Sequence, residues 1–127
     1  GGKQLRPNIH IKDMVKSYLV LLKAPKKLIA GETFNVGFKN NTVLSLAKKV
    51  RKIIGNDVKL VKVPSNDNRS YHISSSKISR KLGFVPSNTI DAAIKELKLA
   101  FIKRKLKNPL SNEYYFNIKR MQSVNLK

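Results

Sequence analysis

The residue best placed to do chemistry in this sequence is Arg69, in the stretch PSNDNRSYHISSSKISRKLGFVP at positions 64–86. Asn66, Asp67 and Asn68 are turn formers, because their short side chains bond their own backbone. They deliver the arginine where Ser70-Tyr71-His72-Ile73 can become extended. A guanidinium at such a boundary can give an oxyanion two parallel charge-assisted hydrogen bonds, which suits a ligand phosphate. The plainer reading is a solvated surface arginine in a basic protein. The serines at 74–76 can cap a following helix, and Gly83 can close it in a left-handed conformation.

The chain that must position this turn has 127 residues, enough for one modest core. It has no cysteine, which excludes disulfides and thiolate metal sites, and its isolated histidines, His10 and His72, offer no metal constellation. A reducing, cytoplasmic setting fits. No apolar run approaches the ~18 residues of a membrane span, so no membrane partner is expected. With 27 basic and 7 acidic residues the formal net charge is +20. The excess is mostly scattered lysine, with no zinc finger, RNA-binding motif or arginine-lined helix, so non-specific polyanion binding at low salt is expected.

Before the turn, Leu5, Ile9 and Ile11 alternate with polar positions as a short strand, and Pro7 restricts it to an edge. Asp13 is read as the N-cap of a helix with Met14, Tyr18, Leu21 and Leu22 on one face and Val15 and Leu19 beside it; Ala24-Pro25 ends it. Residues 33–36 read as a strand stopped by Gly37. Asn40, Asn41 and Thr42 mark a turn and helix start, Val43, Leu46, Ala47, Val50, Ile53 and Ile54 then follow a helical period, and residues 58–63 read as another strand. After the turn, Thr89 is an N-cap for a helix with Ile90, Ala93, Ile94, Leu97 and Phe101 inward. Beyond Asn108 periodicity fades, though Tyr114-Tyr115-Phe116 is too aromatic for a solvated tail.

Five stretches in order carry a resemblance: GKQLRPNIHIKD at 2–13, TFNVG at 33–37, DNRSY at 67–71, SKI at 76–78 and LGFVP at 82–86. Over roughly residues 1–105 the chain resembles the C-terminal, substrate-binding part of NAD-dependent nucleotide-sugar epimerases and dehydratases of the extended short-chain dehydrogenase/reductase family. The resemblance implies an α+β (mixed α/β) fragment of a Rossmann-type enzyme, comprising the last crossover of the sheet and a substrate-binding lid of helices and short strands. Residues 1–40 would end the Rossmann sheet, 41–105 form the substrate-binding subdomain and 106–127 a tail. It further implies that Arg6 and Arg69 grip the diphosphate of a nucleoside diphosphate sugar. His10, Asp13, Asp67 and Tyr71 take structural, supporting roles. Leu5 departs from the aromatic common in that family, which bears on the packing near Arg6.

The sequence contains no glycine-rich dinucleotide loop. Tyr115 and Lys119 have the four-residue spacing of the family's catalytic pair, but they stand in the tail, after motifs that the pair should precede. No catalytic residue is assigned. NAD is expected for the full-length enzyme and not for this fragment alone, which would be inactive. Its expected partners are the nucleotide sugar, a missing N-terminal Rossmann domain and, in the full-length enzyme, a second copy in a homodimer. Deprived of that sheet, the apolar face of the Asp13 helix and the strand near Thr33 should leave apolar surface exposed and stability low. The rival readings are a stand-alone nucleoside-diphosphate binding module and a basic nucleic-acid-binding domain.

Overall fold

The structure, a computed structural model, describes residues 1–64, 66, 67 and 69–125. The chain divides into two compact units, Gly1–Lys95 and Glu96–Lys127. The class is mixed α+β, as expected: short helices and, among the described residues, one two-stranded sheet.

In the first unit, β1 (Leu5–Asn8) pairs antiparallel with β2 (Lys39–Thr42), in a register that places Leu5 opposite Thr42 and Pro7 opposite Asn40. Both strands are edges, which tolerates a proline without an N–H. Between them lie α1 (Ile11–Lys23) and α2 (Lys26–Ile29). After β2 come α3 (Val43–Ile54), α4 (Ser76–Leu82) and α5 (Ile90–Ile102), the last of which contains the boundary between the units.

Several helix signals act as read. The Thr42 hydroxyl accepts the Ser45 N–H at the start of α3, and the Thr89 hydroxyl accepts the Ala92 N–H at the start of α5. Gly83 ends α4 at φ 65°, in the left-handed region that costs glycine nothing.

Two strand expectations are corrected. Residues 33–36 and 58–63 are not strands. Among the described residues neither joins a backbone ladder, and a strand without a paired neighbour has nothing to satisfy its N–H and C=O groups. The partner of β1 is instead the polar segment 39–42. The segment 70–73 is likewise extended without being a strand: Tyr71 N–H donates to the Leu5 carbonyl, and the Asn40 side-chain amide brackets Ile73, donating to its carbonyl and accepting its N–H. A side chain thus does here what a neighbouring strand would do.

Asp13 is not the N-cap of α1. The helix starts at Ile11, and His10 caps it, its Nδ1 accepting the Lys12 N–H. Asp13 faces inward on the first turn, fully buried, and its carboxylate accepts from Ser87 N–H, Asn88 N–H and Asn88 Nδ2 at 3.0, 2.7 and 2.7 Å. Burial pushes this carboxyl up, but the bonds from Asn88 and Ser87 outweigh it and hold it below its ordinary value. His10 is buried and serves as a cap.

The inward face of α1 carries two buried polar residues, Asp13 and Ser17, beside the half-buried Met14, Val20 and Leu21, and the Ser17 hydroxyl donates to the Met14 carbonyl. Its other apolar residues point outward. Ile11, Val15, Tyr18, Leu19 and Leu22 are between 49 % and 82 % exposed, a stripe at helical spacing. Ile78 and Phe84 are the buried apolar side chains among the described residues. Along α5, Ile90, Ala93 and Ile94 are half-buried, whereas Leu97 and Phe101 are exposed.

In the second unit a 3₁₀ turn (Glu113–Tyr115) precedes α6 (Asn117–Ser123). The aromatic run has local partners: Arg120 lies over the Tyr114 ring and pairs with Glu113, and Lys119 lies over Phe116. Tyr115 and Lys119 fall in different elements, so their spacing does not place them on one helix.

Candidate functional site

Arg6 lies on β1, and Gln4 stands just before the strand, two residues away. Both reach the turn after position 64. Gln4 Nε2 donates to the Asp67 carbonyl at 2.9 Å. Arg6 Nη2 donates to Asp67 Oδ2 at 3.0 Å, and its Nη1 donates to the carbonyls of Leu5 and Arg69. The same guanidinium lies over the Tyr71 ring, 5.1 Å from its centroid, a cation–π contact.

Arg69 approaches the same carboxylate from its own side of the turn. Its Nε donates to Asp67 Oδ1 at 2.7 Å, its Nη2 to Oδ2 at 3.0 Å, and its backbone N–H to Oδ1 at 3.2 Å. This is the Asx-type closure expected of the turn residues, extended by a bidentate fork. Asn68, read as a third turn former, lies outside the described residues. The hydrogen bonds and charge of Arg69, with the charge of Arg6, hold the Asp67 carboxyl far below the usual carboxylate range.

Two arginines 63 positions apart in the chain thus meet at one anion. Arg6 is 22 % exposed and locked on several sides; Arg69 is 81 % exposed and open to solvent beyond its contact with Asp67. Chemically the cluster offers one fixed and one accessible guanidinium, both paired with the Asp67 carboxylate. It holds no nucleophile paired to a base, and no group of three or more His, Cys, Asp or Glu among the described residues could hold a metal.

Beside the cluster lies a mainly apolar groove of about 320 Å³, lined by Val43, Leu44 and Ala47 of α3 and by Leu60, Val61 and Val63. Gln4 belongs to both groove and cluster. Sequence reasoning missed Gln4; its place two residues before Arg6 was the available signal.

Sequence also missed two clasps that hold the site's flanks. The Ser75 hydroxyl, read as a helix cap, makes no cap bond; it accepts the Gly37 N–H at 2.7 Å and donates to the Gly37 carbonyl at 3.0 Å. Glu32 pairs with Lys77 and Lys81 of α4, while Lys77 also donates to the Thr33 carbonyl and lies over the Phe34 ring. Bonds from Lys77 and then Lys81 bring the Glu32 carboxyl down to about 2.

No family model matches the chain, and no curated protein matches it. Solved structures do. The UDP-glucose 4-epimerase of Thermotoga maritima, determined with UDP-glucose, superposes with a TM-score of 0.69 at 26 % identity, over 83 % of this chain and 34 % of that one. The Bordetella bronchiseptica enzyme WbmF, in complex with NAD+ and UDP, gives 0.64 at 22 % identity, over 99 % of this chain and 35 % of that one. L-threonine dehydrogenase from Phytophthora infestans gives 0.68 at 16 % identity, over 84 % and 36 %. No helix among the described residues is long and apolar enough to cross a membrane. The chain spans about a third of the length of these solved structures, and its fold is that of the C-terminal portion of Rossmann-type epimerases.

Proposed function

We propose that this chain is the substrate-binding portion of a cytoplasmic, NAD-dependent nucleotide-sugar epimerase or dehydratase, in which Arg6 and Arg69 hold the diphosphate of a nucleoside diphosphate sugar. The observation that carries this is the convergence of both guanidiniums on the Asp67 carboxylate, an internal anion at the place assigned to the ligand's. Two directional cations can anchor a diphosphate while the reacting sugar carbon is presented elsewhere. The adjoining groove is at the small end of the range for ligand pockets and mostly apolar, which suits the nucleoside half. Tyr71 and Asp67 orient the arginines; His10 and Asp13 fix the helix and the turn behind them.

In this reading residues 1–40 end the Rossmann sheet, 41–105 form the substrate-binding subdomain and 106–127 the tail. The rest of the enzyme supplies the dinucleotide site and the redox step. The exposed apolar stripe of α1 supports a missing sheet as neighbour. The residues present do not form an NAD site of the usual kind: β1 passes into α1 through Ile9 and His10, and β2 runs directly into α3, without the glycines that let a pyrophosphate approach backbone. No chemical step is therefore assigned to this chain's residues.

Titration calorimetry with UDP-glucose tests the reading. Binding should be saturable, and Arg69→Ala should weaken it about tenfold or more, as loss of a charge-assisted fork implies. Equal heats from Arg69→Ala and the unaltered chain would refute it. Affinity for a DNA oligonucleotide that falls steeply with salt, with no response to UDP-glucose, would favour a basic nucleic-acid binder.

A further inference from the structure

The cluster contains an anion between its two cations, and that anion is anchored. Asp67 is held at its carbonyl by Gln4 Nε2, at Oδ2 by Arg6 and Arg69, and at Oδ1 by the Nε and N–H of Arg69. We infer that Asp67 is a specificity-determining residue that favours a diphosphate esterified at both ends, as in a nucleotide sugar, over a nucleoside diphosphate with a free terminal phosphate. This inference rests on the diphosphate reading of Arg6 and Arg69.

The charges set the preference. Two guanidiniums and one carboxylate leave the cluster a formal charge of +1. A diphosphate capped on both sides carries two negative charges. A free nucleoside diphosphate carries a third near neutral pH, and this one is lost as the terminal phosphate takes up a proton near pH ~6. The third charge sits on the phosphate that must lie among Arg6, Arg69 and Asp67, so it meets a carboxylate that cannot swing away without releasing both arginines. Asp67 stays ionised well below neutral pH, because Arg69 holds its carboxyl far under the usual range. Like charges roughly 6 Å apart in a partly solvated site disfavour the extra charge on the order of three- to tenfold.

A structural role and a charge-selecting role for Asp67 separate experimentally. A residue that only positions Arg69 would, when replaced, weaken every diphosphate alike. A charge selector would change the ratio between ligands and make that ratio depend on pH.

The test is calorimetry of the 127-residue chain with UDP-glucose and with UDP, at pH 7.5 and pH 5.5. It uses the unaltered chain, Asp67→Asn and Asp67→Ser; the second variant guards against an asparagine amide turned toward the guanidiniums. The expected result is that both variants shift the UDP-glucose to UDP affinity ratio toward UDP by about three- to tenfold at pH 7.5. At pH 5.5, where that third charge is largely lost, the gap in this ratio between the variants and the unaltered chain narrows. An unchanged ratio in both variants, or equal weakening of both ligands, overturns the role of Asp67 and leaves the arginines' role standing. Failure of the unaltered chain to bind either ligand, or equal affinities after Arg69→Ala, overturns the diphosphate reading and this inference together.

Discussion

Replacing Asp13 by alanine separates a helix cap from a buried staple. An N-cap loss costs about 1 kcal/mol. The structure instead gives Asp13 a fully buried carboxylate with three donors, from Ser87 and Asn88, all within 3.0 Å. Hydrogen bonds to a charged group contribute roughly 1.5–3 kcal/mol each, but they are not additive. Ser87 is exposed and Asn88 half-buried, so their N–H groups can recover water in the variant. The low end of the range then applies, and Asp13→Ala should cost about 3 kcal/mol. For a unit of this size that lowers the melting temperature by roughly 12–24 °C. Asp13→Asn keeps an oxygen for the two backbone donors but loses the charge and sets its amide against Asn88 Nδ2, so about half the loss is expected. Urea unfolding followed by far-ultraviolet circular dichroism measures both variants. A loss of only about 1 kcal/mol for Asp13→Ala would refute the staple and restore the cap.

The acidic groups with resolved shifts all move the same way on folding. Glu32 falls from 4.5 to about 2, chiefly through bonds from Lys77, and Asp13, Asp67 and Asp91 are also lowered, the last by Lys49. Because these pKa values are depressed, the unfolded chain binds more protons, and the stabilisation is complete above about pH 4.5 and lost as pH falls toward 2. Urea midpoints should therefore drop between pH 5 and pH 3; a constant or rising midpoint would contradict the pairings. The outward stripe of α1 should bind an apolar fluorescent dye in the folded chain, and Val15→Lys with Leu22→Lys should reduce that signal while changing stability by no more than about 0.5 kcal/mol. A cooperative melt with no dye signal would show the stripe to be covered. Ser75→Ala removes both clasps on Gly37 and should cost about 1–2 kcal/mol in the same urea assay, against a few tenths if the serine were idle.

What was legible in the sequence was whatever depends on neighbours along the chain. Thr42, Thr89 and Gly83 bound their helices as read, because a cap is a matter of the next three residues. The turn at 66–69 and its arginine were visible for the same reason. Arg6 was singled out by family resemblance alone; no local pattern linked it to Asp67, 61 positions away. The extended segments failed where pairing decides. Residues 33–36 and 58–63 have the apolar residues of strands but no ladder among the described residues, while the polar 39–42 segment gained one from β1. In α1 the 3.6-residue period was right, and most of its apolar stripe is exposed as expected of a face without its sheet, while Met14 and Leu21 are half-buried. Hydrophobicity identifies a stripe, but the side that faces inward was settled by Asp13 reaching across to the 87–88 turn. Asp67 was read as a turn former and supporting residue, and nothing in its spacing announced that it would accept from both arginines at once.

The most direct test of the shared anion site is nuclear magnetic resonance of the arginine Nε–H groups during titration with UDP-glucose, with the two signals assigned from Arg6→Lys and Arg69→Lys. The account predicts that both signals move together, along curves described by one dissociation constant. Movement of only one of them, or of neither while the ligand binds, would show that the two guanidiniums do not hold a common diphosphate.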